Sequence, residues 1–331
     1  MNYIQTTKSN YLLIFLFLLI TCFIPTQVGA KKSEKINSCS ILNKTPELLL
    51  PVRRKGAISG SQFIKKISKL SKEKRELAIL TEIRHGNIPS FLRKLKPINL
   101  QHYYPEQNQT IKATIWVTSD YLGIGSDINW VRIPMTPQIA QNIADHAGAI
   151  LPTQKIVDEI WKQANIQIKP RPLPERGDSM RSPELFLRHN LLVNSDLTKS
   201  TPSTKRVVIA GHKKDLIITN RISKNPGHVA IYGWHSLNGS PIQPISLVHN
   251  DKYSDYSHGV RLVSIVANIE GNFVYLDDML RSQLSWIVSD EGKLTTLTAY
   301  ISKDLSLKRL SHRSLAERLK LPLEGFFKCD K

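Results

Sequence analysis

The chain has 331 residues, of which 41% are hydrophobic and 22% charged, and it carries a formal net charge of +19 with three cysteines. So basic a balance predicts attraction to polyanions. The Lys and Arg residues are scattered rather than blocked, and there is no RNA-recognition aromatic pair, zinc-finger spacing or basic helix leading into heptads. Nucleic acid is therefore not the expected partner.

In chain order, residues 1–30 read as a secretory signal. Lys8 precedes the apolar run Tyr11 to Pro25, and Val28-Gly29-Ala30 supplies small residues before Lys31-Lys32. The run is too short for a comfortable membrane span and no later stretch rivals it, so no transmembrane segment is expected in the mature chain. Leu19-Ile20-Thr21-Cys22 offers a weaker, competing lipoprotein cut, with Thr where Gly or Ala is usual. Past the signal, Cys39 and Cys329 remain. In an oxidising compartment they invite one intramolecular disulfide. The expected location is periplasmic or extracellular.

Residues 31–60 form a polar, Lys-rich stretch that suggests a flexible basic tether. From Ser61, apolar residues at helical spacing predict two amphipathic helices ending at Gly86-Asn87, and Pro89 and Pro97 bracket a short helical turn. Residues 111–133 alternate like a hairpin about Gly123 to Asp127. Helices are predicted over Thr136 to Ala147 and Thr153 to Ala164, then an extended proline-rich connector. Strand signals follow at 206–210, 215–219, 229–232, 260–268 and 272–275, with a helix over 277–286. The expected fold is α+β: one compact unit over 61–331, with a helical N-terminal portion (61–168) and a connector (169–205). The third part is a mainly antiparallel, strand-rich, site-bearing half (206–331).

Five of the ten histidines, His212, His228, His235, His249 and His258, fall within this half beside glycines and polar residues, where sites are commonly assembled. His249, Asp255, His258 and His212 supply donors suited to zinc, although HExxH and CxxC are both absent. Without a metal, His258 and His235 could serve as acid or base, with Asp255 or Asp215 orienting and Arg261 holding an anionic group. A structural role is the competing reading, and the favoured one for His228. The Lys213-Lys214 pair is expected to be exposed.

Ser257-His258-Gly259-Val260-Arg261-Leu262 resembles the SHGCxRL signature of the L,D-transpeptidases, and Ile231-Tyr232-Gly233-Trp234-His235 sits roughly where those enzymes carry a first histidine motif. That resemblance implies active-site roles for His235 and His258 and a substrate-positioning role for Arg261. The signature's catalytic Cys is missing, since Gly259 runs directly into Val260, so the family's acyl-enzyme chemistry does not transfer. The chain also resembles a group of exported bacterial proteins of unassigned function, through Gly86-Asn87-Ile88-Pro89-Ser90-Phe91-Leu92, Leu151-Pro152-Thr153 with Val157-Asp158, Gly211-His212-Lys213-Lys214-Asp215, the Ile231 to His235 segment and Asp255 to Gly259. The resulting expectation is an exported hydrolase or transferase acting on an anionic polymer such as peptidoglycan or a polysaccharide. The alternative is a non-catalytic protein of the periplasm or cell surface that binds a glycan or peptide.

Overall fold

A computed structural model describes residues 46–200, 207–300 and 327–328. The signal segment, Cys22 and the expected Cys39 to Cys329 disulfide lie outside the described residues. Seven helices are described: α1 (Gly60–Ile67), α2 (Lys72–Arg84), α3 (Pro137–Ala147), α4 (Gln154–Gln163), α5 (Pro183–Ser200), α6 (Leu276–Arg281) and α7 (Ser285–Val288). The strands are β1 (Lys96–Tyr104), β2 (Gln109–Val117), β3 (Gly123–Gly125), β4 (Trp130–Arg132), β5 (Ala149–Ile150), β6 (Ile166–Gln167), β7 (Ile209–Ala210), β8 (Lys214–Leu216), β9 (Ile231–His235), β10 (Pro241–Ser246), β11 (His258–Gly259), β12 (Val263–Ser264), β13 (Val266–Ile269), β14 (Asn272–Tyr275) and β15 (Phe327–Lys328).

The fold is α+β, as expected, but the helices are not gathered at the N-terminus: α3, α4 and α5 stand between strands. The larger sheet runs β15-β14-β13-β2-β12-β5, with β1 also on β2, and every pair in it is antiparallel. The smaller sheet runs β10-β9-β8-β11, and its β8/β11 pair is parallel.

The local reasons for the helices are plain. Ser59 and Gln62 close a capping box ahead of α1, which buries Phe63, Ile64 and Ile67. Ser71 caps α2, which buries Ile79, Leu80 and Ile83. The chain leaves α2 through Gly86 at φ +78, where an added Cβ would stand 1.8 Å from the Pro51 carbonyl oxygen. Pro137 follows Thr136 at the start of α3, and Gly148, left-handed at φ 68, ends it. Thr153 caps α4 and directs Ile156, Val157 and Ile160 inward. Burying one such aliphatic side chain stabilises by about 1.5 to 3 kcal/mol, and almost all of them join one continuous core.

Two expectations need correction. The hairpin read at 111–133 is instead two structures. Residues 109–117 pair with 96–104, Gln109 opposite Tyr104 and Val117 opposite Lys96, while β3 and β4 form a short ribbon of their own. The connector at 169–205 contains α5, which buries Leu185, Phe186, His189, Asn190, Val193 and Leu197 at helical spacing. Among the described residues no helix is long and apolar enough to cross a membrane.

Candidate functional site

The smaller sheet sets out the site. In the parallel β8/β11 pair His258 lies opposite Lys214, and Gly259 opposite Asp215. Successive strand residues face opposite sides, so the Lys214 and His258 side chains share one face while Asp215 occupies the other. On Asp215's side the Tyr121 ring crosses the backbone so closely that a Cβ on Gly259 would meet Tyr121 Cδ1 at 2.5 Å. Only glycine fits there without displacement.

His258 is 2% exposed, yet both of its ring nitrogens lack a hydrogen-bond partner. Its Nε2 stands 3.8 Å from Asp255 Oδ2, beyond hydrogen-bonding distance. Asp255 is held by other donors: the Ser257 amide at 2.7 Å, the Ser257 hydroxyl at 2.6 Å and the Tyr253 hydroxyl at 3.0 Å. His249, half-buried, stacks on Tyr253 with ring centroids 3.8 Å apart and lies 6.4 Å from the His258 ring. The Arg181 guanidinium covers Tyr253, and Lys214 Nζ sits 4.9 Å above the Trp234 ring.

The electrostatics follow from this burial. Desolvation pushes His258 down to about 4, against the pull of Asp255, with Lys214 and His249 adding to the depression. The imidazole is therefore neutral at pH 7, one nitrogen a donor and the other an acceptor. Burial alone would raise Asp255, but His258, which is protonated by the pH at which this carboxyl titrates, outweighs it together with the two Ser257 donors and Lys214, and holds the carboxyl below its usual range. Burial also lowers Lys214. A neutral imidazole, an ionised carboxylate and a partly desolvated amine thus meet in one basin whose floor, His258 and Asp255, is buried and whose rim, Lys214, His249 and Tyr253, is half-buried.

His235 belongs to a neighbouring cluster. Gly233 at φ +104 and Trp234 at φ +57 are both left-handed. In a regular strand Tyr232 and His235, three residues apart, would face opposite sides. The left-handed pair turns the chain so that both reach Asp158 Oδ1, the Tyr232 hydroxyl at 2.7 Å and His235 Nε2 at 2.9 Å. The same turn brings the Trp234 ring beneath Lys214. Holding a non-glycine residue left-handed costs about 1 to 2 kcal/mol, a strain that collects at functional sites.

His212 and Arg261 lie elsewhere. His212 is fully buried, and its Nε2–H donates to Asp120 Oδ1 at 3.1 Å; Asp120 also takes two bonds from Arg132. Burial depresses His212 to about 4 even so. Arg261, 0% exposed, gives its two terminal nitrogens to the carbonyls of Thr118 and Ile209 and packs its guanidinium on Tyr121. Fully buried, it is not placed to meet a substrate from a surface.

The residues read from sequence therefore divide. His258, Asp255 and His249 come together; His235 stands in the adjoining cluster; His212 and Arg261 are in the buried interior. The zinc donors read from sequence are split between the first and third of these. Among the described residues no group of three or more His, Cys, Asp or Glu is arranged to hold a metal ion. His228 donates through Nδ1 to the Leu247 carbonyl at 2.6 Å, a structural bond. The Lys213-Lys214 pair is not exposed. Lys213 is 1% exposed, its Nζ is bonded to the Tyr256 carbonyl, and burial brings it down to about 7; Lys214 is half-buried.

Sequence reasoning passed over Tyr253 and Arg181 as site residues, read Lys214 as exposed, and gave no role to Asp158, the anchor of His235. No family model matches the chain, and neither does any curated protein or solved structure.

Proposed function

We propose that the protein is an exported hydrolase or transferase of the cell envelope or extracellular matrix, and that the basin around His258 is its active site. The observation that carries this reading is the buried imidazole of His258 with both nitrogens unpartnered. A buried polar group normally finds a partner, and one left unpaired beneath the half-buried Lys214, His249 and Tyr253 is suited to a substrate proton. Asp255, held ionised, sets the field under the imidazole, and the half-buried His249 ring, stacked on Tyr253, offers a flat face to a sugar ring or planar amide. The high positive charge of the chain suits an anionic polymer.

In this reading His258 takes a proton from water or a hydroxyl as that oxygen attacks, and returns it to the leaving group. Such a base contributes about 10²- to 10⁴-fold. The test is release of new reducing ends or amines from peptidoglycan and acidic polysaccharides by wild type and by His258→Gln. The account expects a loss of two or more orders of magnitude with unchanged circular dichroism. An unchanged rate removes His258 from the chemistry.

A second reading, a glycan- or peptide-binding protein, is favoured by one feature. The serine whose hydroxyl donates to Asp255, Ser257, is 0% exposed, so that hydroxyl is not open to a substrate as a nucleophile. It predicts that His258→Gln weakens binding with no turnover to lose.

A further inference from the structure

The basin has more hydrogen-bond donors than acceptors. Lys214 Nζ, over the Trp234 ring, makes no ion pair or hydrogen bond among the described residues. The Trp234 indole N–H is buried and without an acceptor, in a side chain 8% exposed. His258, directly across the β8/β11 pair from Lys214, has both nitrogens open and so brings one more unpaired N–H. The one carboxylate nearby, Asp255, spends its oxygens on Ser257 and Tyr253.

An ammonium and an indole can only donate, so no rotation of these groups lets them satisfy one another. What they lack is an oxygen acceptor with more than one lone pair. Lys214 is the charged member, and its cost of burial falls when an anion comes to it.

We infer that this basin binds a carboxylate group, held between the Lys214 ammonium, the Trp234 indole N–H and the His258 imidazole. The inference rests on the reading of the basin as the substrate site and says which part of the substrate enters it. That part is the acidic group of a uronic-acid-type sugar or of a peptide, not a neutral sugar ring. The left-handed backbone at Gly233 and Trp234 is what places the indole under the amine, so the strain in that turn has a use.

The experiment titrates the protein with D-glucuronate, N-acetylalanine, D-glucose and N-acetylalanine amide, following tryptophan fluorescence and calorimetric heat. It is repeated on Lys214→Met and Lys214→Arg, with near-ultraviolet circular dichroism to show that each is folded. One or both carboxylates are expected to bind and their neutral counterparts not to. Lys214→Met should lose about 10- to 100-fold in affinity, with part recovered in Lys214→Arg. Binding of glucuronate alone identifies a sugar acid, and binding of N-acetylalanine alone a peptide.

Equal binding of acid and neutral partner, no binding of either acid, or a folded Lys214→Met that binds as wild type each overturns the inference. The two readings fail separately. Carboxylate binding without turnover of any polymer leaves this inference standing and removes the catalytic one. Turnover that requires His258 but ignores Lys214→Met does the reverse.

Discussion

Asp120→Asn tests how the interior beneath the site is held. The Asp120 carboxylate is 0% exposed and accepts from Arg132 Nε at 3.0 Å, Arg132 Nη2 at 2.6 Å, the Tyr121 amide at 2.6 Å and His212 Nε2 at 3.1 Å. Asparagine keeps the shape but removes the charge and turns one acceptor into a donor aimed at a donor. Arg132, 1% exposed, is then left with only the neutral amide oxygens of Asn190 and Asn194. Breaking a buried pair from one side costs about 3 to 5 kcal/mol, because the other charge stays buried without compensation. That is a large part of a total stability of about 5 to 15 kcal/mol. With a urea slope of about 3 kcal/mol/M, the unfolding midpoint should fall by about 1 M or more. The Asp120→Asn, Arg132→Met double variant, which removes both charges, should recover much of the loss. A single variant within about 1 kcal/mol of wild type, where about 4 is expected, would refute the reasoning.

Three other outcomes are expected. Burial holds His212 and His258 at about 4 against an ordinary 6.5, and holds His189 lower still, so below pH 6.5 the unfolded chain takes protons that the folded chain refuses. Their contribution is fully present above pH 6.5 and is lost as pH falls toward 4. Asp215, raised by burial from 3.8 to about 6, and Glu76, also raised by burial, work with the opposite sign over part of that window. A net one to two protons remain, or about 1.4 to 3 kcal/mol per pH unit; urea midpoints that are flat between pH 6 and 4.5 would contradict it. Gly259→Ala places a methyl 2.5 Å from Tyr121 Cδ1 and 2.9 Å from Lys213 Cβ and should destabilise by about 1 to 3 kcal/mol, read from thermal unfolding. Since His212 is buried apart from His249, Asp255 and His258, and no group of three or more His, Cys, Asp or Glu among the described residues is arranged to hold a metal ion, chelation should leave both melting temperature and polymer turnover unchanged.

How much of this was legible depended on whether the signal was local. Helices α1 to α4 follow from apolar spacing and caps carried within each segment, so they could be read directly. Helix α5 carries the same spacing in Leu185, His189, Val193 and Leu197, but the prolines at 170, 172, 174 and 183 suggest an extended chain. Pro183 in fact opens the helix, where its missing N–H costs nothing. Strand β1 was hidden by Pro97 near its start, and the partner chosen for residues 111–117 was the nearest in sequence.

For the site, His258, Asp255 and His249 could be found because they fall within ten residues of one another. Their separation from His212 and Arg261 could not, because it rests on which face of β8 and β11 each neighbour occupies. That register is set by long-range pairing. The role of Trp234 was equally hidden, since a left-handed tryptophan breaks the alternation from which facing is read. Asp158 lies on α4, distant in sequence from the histidine it holds.

The most direct test of the central claim is a histidine-selective NMR titration of the folded protein with soluble fragments of peptidoglycan and of acidic polysaccharide. The account predicts that the His258 and His249 ring signals move on binding, while His212 and His189, sealed in the interior, stay in place. Signals that move at His235 alone, or no ring signal that moves with any fragment, would contradict the placement of the site at His258.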